Sequence, residues 1–178
     1  MSNKRIVSHY GKSNSSTNAT TFGSTIQDGN STPNIIQNTL NPASGVLQSY
    51  RFIISNTTGA VAISGTLAII HDLLLDVARC YQFVAHLTII VQAADGTFYS
   101  GQYKLTSGSR NNTLIGTGGY KLETIVKDDG IDQYIPETNI VLSITSSKFV
   151  ITLTAAAAIT TSLDMLNDVT INSFEFSA

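Results

Sequence analysis

Tyr81-Gln82-Phe83-Val84-Ala85-His86-Leu87-Thr88-Ile89-Ile90-Val91 is the stretch that decides the fold. Tyr81, Phe83, Ala85, Leu87, Ile89 and Val91 fall on one side of an extended chain. Gln82, His86, Thr88 and, just beyond, Gln92 fall mostly on the other. Successive side chains of a strand point to opposite faces, so this alternation is the signature of a half-buried strand. Asp95-Gly96 follows, and residues 98–105 resume an apolar pattern. An Asp-Gly pair between two such runs predicts a hairpin, because Gly readily takes the positive φ a tight turn requires.

Outward from this hairpin the chain continues as short strands. Residues 50–55, 61–70, 113–115, 120–126, 139–145, 149–154 and 169–176 read as the others, with Gly65 as a bulge within the second run. Thr57-Thr58-Gly59 and Ser146-Ser147 read as turns. Only residues 71–78, with Leu73, Leu74, Leu75 and Val77, and the alanines 155–158 carry a helix signal. Strands never alternate with helices, which argues against a parallel sheet. The expected fold is all-β: an antiparallel β-sandwich of jelly-roll type over residues 46–178, preceded by an extended polar N-terminal arm over residues 1–45.

Composition sets this arm apart. The chain has 178 residues, of which 12% are charged, about half the usual share of roughly 25%. Ten Lys and Arg against twelve Asp and Glu leave a net charge of -2. No basic cluster is present to displace phosphate counterions, so no nucleic-acid partner is expected. The first 45 residues contain eight Ser, six Thr and seven Asn, and their only charges are Lys4, Arg5, Lys12 and Asp28. Such a segment cannot by itself bury enough apolar surface to offset its ordering entropy. It is expected to order against other chains, for anchoring or between subunits, with Ile6, Val7, Tyr10, Phe22, Ile26, Ile35, Ile36 and Leu40 as docking points. No apolar run approaches the roughly 20 residues of a membrane span, and no apolar core of a signal peptide follows Lys4-Arg5. Five glycosylation-type sequons, at Asn14, Asn18, Asn30, Asn56 and Asn111, read as a by-product of Ser/Thr/Asn enrichment. Cys80 is the single cysteine and reads as a packed thiol.

The residues give little catalytic signal. His9, His71 and His86 have no second ligand at metal spacing, so neither a metal nor a cofactor is expected. His86 reads as a surface residue. Gly116-Thr117-Gly118-Gly119 precedes a strand pattern and not a helix, which makes it a hairpin loop and not a phosphate cradle. Asp128, Asp129 and Asp132 around Gly130 could offer oxygens to calcium but lack EF-hand spacing, and read as a solvated loop tip. No carboxylates are paired for acid–base work, so no enzyme is expected. Tyr99, Tyr103, Tyr120 and Tyr134 lie near loops. A tyrosine ring can stack on a sugar while its hydroxyl stays wet, which makes these four the candidate glycan contacts. They would serve equally as strand formers.

The segments Tyr81-Gln82-Phe83-Val84-Ala85, Gln92-Ala93-Ala94-Asp95-Gly96-Thr97, Tyr103-Lys104-Leu105 and Thr113-Leu114-Ile115-Gly116-Thr117, in that order, resemble a module of structural proteins of tailed bacteriophages. The module occurs at the ends of tail fibres and tail spikes and as small stand-alone virion proteins. Its acidic stretch and later strands correspond to Asp128-Asp129 and to residues 140–145, 149–154 and 169–176. Its closing strand often carries a Trp, which this chain lacks. The resemblance implies a non-enzymatic structural protein on the exterior of a phage virion, as capsid decoration or short fibre, made in the host cytoplasm. It implies a homo-oligomer, a trimer by the habit of the family, in contact with other virion proteins and with no membrane. The alternative is a receptor-binding module for host cell-surface glycans. A glycan depolymerase would need two carboxylates about 5–10 Å apart in a groove.

Overall fold

A computed structural model describes residues 34–40 and 47–175. Ten strands occur in it: β1 Asn34–Leu40, β2 Leu47–Thr58, β3 Thr66–Ile70, β4 Arg79–Gln92, β5 Phe98–Arg110, β6 Thr113–Ile115, β7 Lys121–Lys127, β8 Ile140–Thr145, β9 Lys148–Thr154 and β10 Ser162–Glu175. All pairings are antiparallel. The larger sheet runs β1-β2-β10-β4-β5, and both β6 and β7 lie along the far edge of β5. The smaller sheet is β3-β9-β8. The fold is thus an all-β antiparallel sandwich, as the alternation predicts. Its sheets hold seven strands and three, whereas a jelly roll divides eight strands between two sheets.

The inner face of β4 is the predicted one: Tyr81, Phe83, Ala85, Leu87, Ile89 and Val91 are all buried. Phe149, Ile151 and Leu153 of β9 meet them from the smaller sheet. The Phe83 and Phe149 rings lie 4.7 Å apart at 35°. At the predicted hairpin, Gly96 adopts φ +85°. Asp95 locks it by accepting the Thr97 N–H through its carboxylate. Asn111-Asn112 and Ser146-Ser147 each place two consecutive residues at left-handed φ, as a type I′ turn requires, and close β5–β6 and β8–β9.

Several expectations change. Residues 71–78 form no helix. His71 and Leu75 are buried and Leu73 packs partly on the core, while Leu74 and Val77 face solvent, and the Leu75 N–H bonds to the Ser147 carbonyl. Residues 155–158 are not helical either: the N–H groups of Ala155 and Ala156 go to Gly65 and Tyr134, so tertiary bonds override alanine propensity. Gly65 is no bulge; it closes a turn after the Val61–Ile159 bridge, and β3 starts only at Thr66. β2 runs on through Thr58, so that only Gly59 of the expected turn lies outside the strand. The 116–119 loop is not a hairpin. It interrupts one edge, since β6 and β7 both pair with β5 in the same direction. β10 begins at Ser162, seven residues earlier than expected. Residues 34–40, assigned to the arm by sequence, form β1 against β2.

Tyr103 on β5 is fully buried, and its hydroxyl has no hydrogen-bond partner among the described residues. Gly101 makes room for it, because a Cβ at that position would overlap the tyrosine ring. Phe83→Ala is expected to cost about 3–5 kcal/mol of unfolding free energy. Tyr103→Phe deletes an orphaned hydroxyl and is expected to leave stability unchanged or raise it by up to ~1 kcal/mol. Urea titrations of the two variants check both figures.

Candidate functional site

Two regions bring functional side chains together. The first surrounds the start of β5 and the segment between β7 and β8. That segment contains two 3-10 turns, Ile131–Gln133 and Glu137–Asn139, and is anchored by Ile131 and Ile135, both buried. Tyr134 emerges beside the first turn and stacks on Tyr99, with centroids 5.8 Å apart. The Tyr99 ring also fills the space over Gly130. Both tyrosines are half-buried, each leaving part of its surface to solvent. Tyr120 is half-buried too, and its hydroxyl donates to the Ile140 carbonyl at 3.0 Å. Tyr103 is covered, so no ligand can stack on it without unfolding the sandwich. Of the four candidate tyrosines the fold therefore pairs two, ties one to the backbone and buries one.

The acidic loop is hydrogen-bonded within the chain. Asp128 accepts the Ser100 N–H at 2.7 Å and the Ser100 hydroxyl at 2.9 Å. Lys127 lies between Asp132 at 2.7 Å and Glu137 at 2.9 Å, which sets two carboxylates side by side. Those hydrogen bonds, Asp132 first, push the Lys127 ammonium well above its usual range. The Thr124 hydroxyl and then Lys127 hold the Glu137 carboxyl below its usual range. A glycosidase pair needs one carboxyl kept protonated as general acid. Here the environment of Glu137 favours the ionised form. The sequence alone does not pair Asp132 with Glu137, because only the turn between them folds both back onto Lys127. Among the described residues no three His, Cys, Asp or Glu side chains are grouped to hold a metal ion.

The second region is the outer face of the larger sheet. Arg51 grips Asp168 through two hydrogen bonds, at 2.9 and 2.6 Å. That bond holds the Asp168 carboxyl below its usual range. His86, exposed as expected, is the cross-strand neighbour of Asp168, and Lys104 is the neighbour of His86. Further along lies a hollow of about 310 Å³, lined by Ser55, Thr57, Thr88, Asp164, Ile90 and Leu166 among others. Neither the hollow nor the ion pair has a sequence motif; both follow from the register of β10 between β2 and β4. Cys80 on β4 is half-buried. No helix among the described residues is long and apolar enough to cross a membrane.

Of the arm positions, Ile6, Val7, Tyr10, Phe22 and Ile26 lie outside the described residues. Ile35, Ile36 and Leu40 lie on β1, opposite Phe52, Arg51 and Leu47.

No protein-family model matches the chain, and no curated protein matches it. Two solved structures are similar to part of it. The tailspike protein of Acinetobacter phage vB_ApiP_P1 aligns with 70% of this chain at 14% identity and a TM-score of 0.41. The tailspike protein of Acinetobacter baumannii phage AM24 aligns with 72% of it at 11% identity and a TM-score of 0.34. The aligned parts are 22% and 26% of those chains, so this chain spans about a quarter of the tailspikes it is similar to.

Lys127→Met removes the cation shared by Asp132 and Glu137. The Glu137 titration, followed by NMR, is expected to move up part of the way toward the ordinary carboxylate range, with Thr124 still holding it back. Amide exchange over residues 131–139 is expected to quicken while β4 and β10 stay protected. An unmoved Glu137 titration would contradict the ion-pair geometry.

Proposed function

We propose that this chain is a non-enzymatic structural module of a bacteriophage virion, displayed on the particle exterior as capsid decoration or as part of a short fibre or spike. One observation carries the reading. The four segments that resemble the phage module do not scatter in the fold. The first becomes β4, Asp95-Gly96 makes the hairpin, Tyr103-Lys104-Leu105 lies in β5, and Thr113-Leu114-Ile115 forms β6 beside it. They make one contiguous antiparallel block that forms a large part of the core. The composition supports the same reading. A sandwich with few charges, whose edge strands β1, β3, β6 and β8 carry none, is suited to packing against other chains in a symmetric assembly. The segment at residues 1–45 is the proposed attachment to the particle or to sister subunits, and the oligomer is proposed as a trimer.

A second reading is recognition of host-surface glycans. It is favoured by the stacked, half-exposed Tyr99–Tyr134 pair at one loop-bearing end of the sandwich. In that reading Tyr103 has no contact role. Catalysis is not part of the proposal, because the adjacent carboxylates Asp132 and Glu137 are both bonded to Lys127.

Mass spectrometry of virions purified from the source phage is expected to find this chain as a stoichiometric component; its absence overturns the proposal. For the glycan reading, saturable binding of the purified chain to host cells is expected to weaken at least tenfold in Tyr99→Ala or Tyr134→Ala. Tyr103→Phe should bind like the parent chain. Equal binding by all three variants would eliminate the tyrosine pair as the contact.

A further inference from the structure

One of the fully buried polar residues of the sandwich is a histidine. His71 follows β3 and has no exposed surface. Its ring packs edge-on against Phe52 of β2, 5.7 Å away, and Phe83 of β4, 5.3 Å away, and Phe83 in turn lies against the ring of Phe149 of β9. Nδ1 lies 3.1 Å from the Phe149 carbonyl oxygen. A carbonyl can only accept, so Nδ1 carries the proton and Nε2 presents a lone pair. That lone pair accepts the side-chain N–H of Asn167, on β10, at 2.9 Å. One imidazole thus links the backbone of the smaller sheet to the central strand of the larger.

We propose that His71 and Asn167 form an acid-sensitive latch between the two sheets, in which protonation of the imidazole breaks the Asn167 bond and loosens the sandwich. A proton on Nε2 removes the acceptor that the Asn167 amide uses among the described residues and sets donor against donor. The charge would also have no counter-ion. The rings packed on the imidazole from β2 and β4 are phenylalanines, β9 presents a backbone carbonyl, and the group from β10 is an uncharged amide. The nearest charges in sequence face elsewhere: Asp72 pairs with Lys148, and Asp168 pairs with Arg51 on the outer face, beside His86. Desolvation accordingly holds the imidazole down to about 4. The Asn167 Oδ1 is buried with no partner among the described residues. Rotation of that amide would turn Oδ1 toward a protonated Nε2, but would leave the amide N–H groups pointing where Oδ1 now finds no partner.

The sign of the pH effect follows. A histidine whose folded titration lies below its unfolded one binds its proton more readily when the chain unfolds, so it costs stability as pH falls through that window. His71→Leu removes the titration while keeping an apolar side chain of similar size. Between pH 7.5 and pH 4, the folded-to-unfolded ratio of the parent chain, from urea titration, is expected to fall about 100-fold more than that of His71→Leu. Carboxylates titrating in the same window cancel in this comparison. Parallel pH dependences of the two proteins would overturn the proposal. Should His71→Leu fail to fold, imidazole nitrogen NMR of the parent chain decides. The proposal requires the Nδ1–H tautomer at neutral pH and a midpoint well below 6. A midpoint at or above the ordinary histidine value, or the opposite tautomer, would overturn it.

Discussion

The constraint on which this fold depends is the need to cover one face of β4. Six alternate side chains from Tyr81 to Val91 cannot be left in water. Burying a large side chain stabilises by roughly 1.5–3 kcal/mol, and a single sheet has nothing to bury them against. β9 supplies the cover with Phe149, Ile151 and Leu153, and β3 and β8 hold β9 in place. β10 sits between β2 and β4 along almost its whole length and adds Leu163, Met165, Val169 and Ile171 to the same face. The three-stranded sheet exists to close this face, and the segment that brings Tyr134 against Tyr99 of β5 is placed by how it closes.

This explains which parts of the fold were legible in the sequence. β4 reads clearly because no polar residue interrupts its inward positions. β10 does not, because Asn167 and Ser173 occupy inward positions and break the alternation. Asn167 makes sense inside only because His71, distant in sequence, meets it there. Residues 71–78 look helical because four large apolar residues crowd into them. In the fold they span from the smaller sheet to β4, and of the four apolar residues only Leu75 is buried. The glycines at 116–119 look like a hairpin because both flanks are strands, and sequence spacing cannot tell that both flanks lie on one edge of β5.

The candidate site shows the same division. Tyr99 and Tyr103 are four residues apart on the same strand and indistinguishable by pattern. The difference between them is the 128–139 segment, whose Ile131 and Ile135 pack into the core beside Tyr103 while Tyr134 stacks on Tyr99. That contact is long-range and leaves no periodic trace. Asp128, Asp129 and Asp132 are close enough in sequence to suggest a loop tip, which is how they read. The arrangement of Asp132 and Glu137 on the Lys127 ammonium depends on the two 3-10 turns. The outer-face hollow and the Arg51–Asp168 pair depend on a register that only strand pairing defines.

Native-state hydrogen exchange tests the central claim most directly, because it ranks segments by the free energy of opening them. If the covered face of β4 holds the structure together, the slowest amides will be those of β4 between Phe83 and Ile89 and of β10 between Leu163 and Ile171. β9 should exchange with them, and residues 128–139 well before. A chain in which β9 opens fully while β4 and β10 remain protected would contradict the account, because the larger sheet would then be stable without its cover.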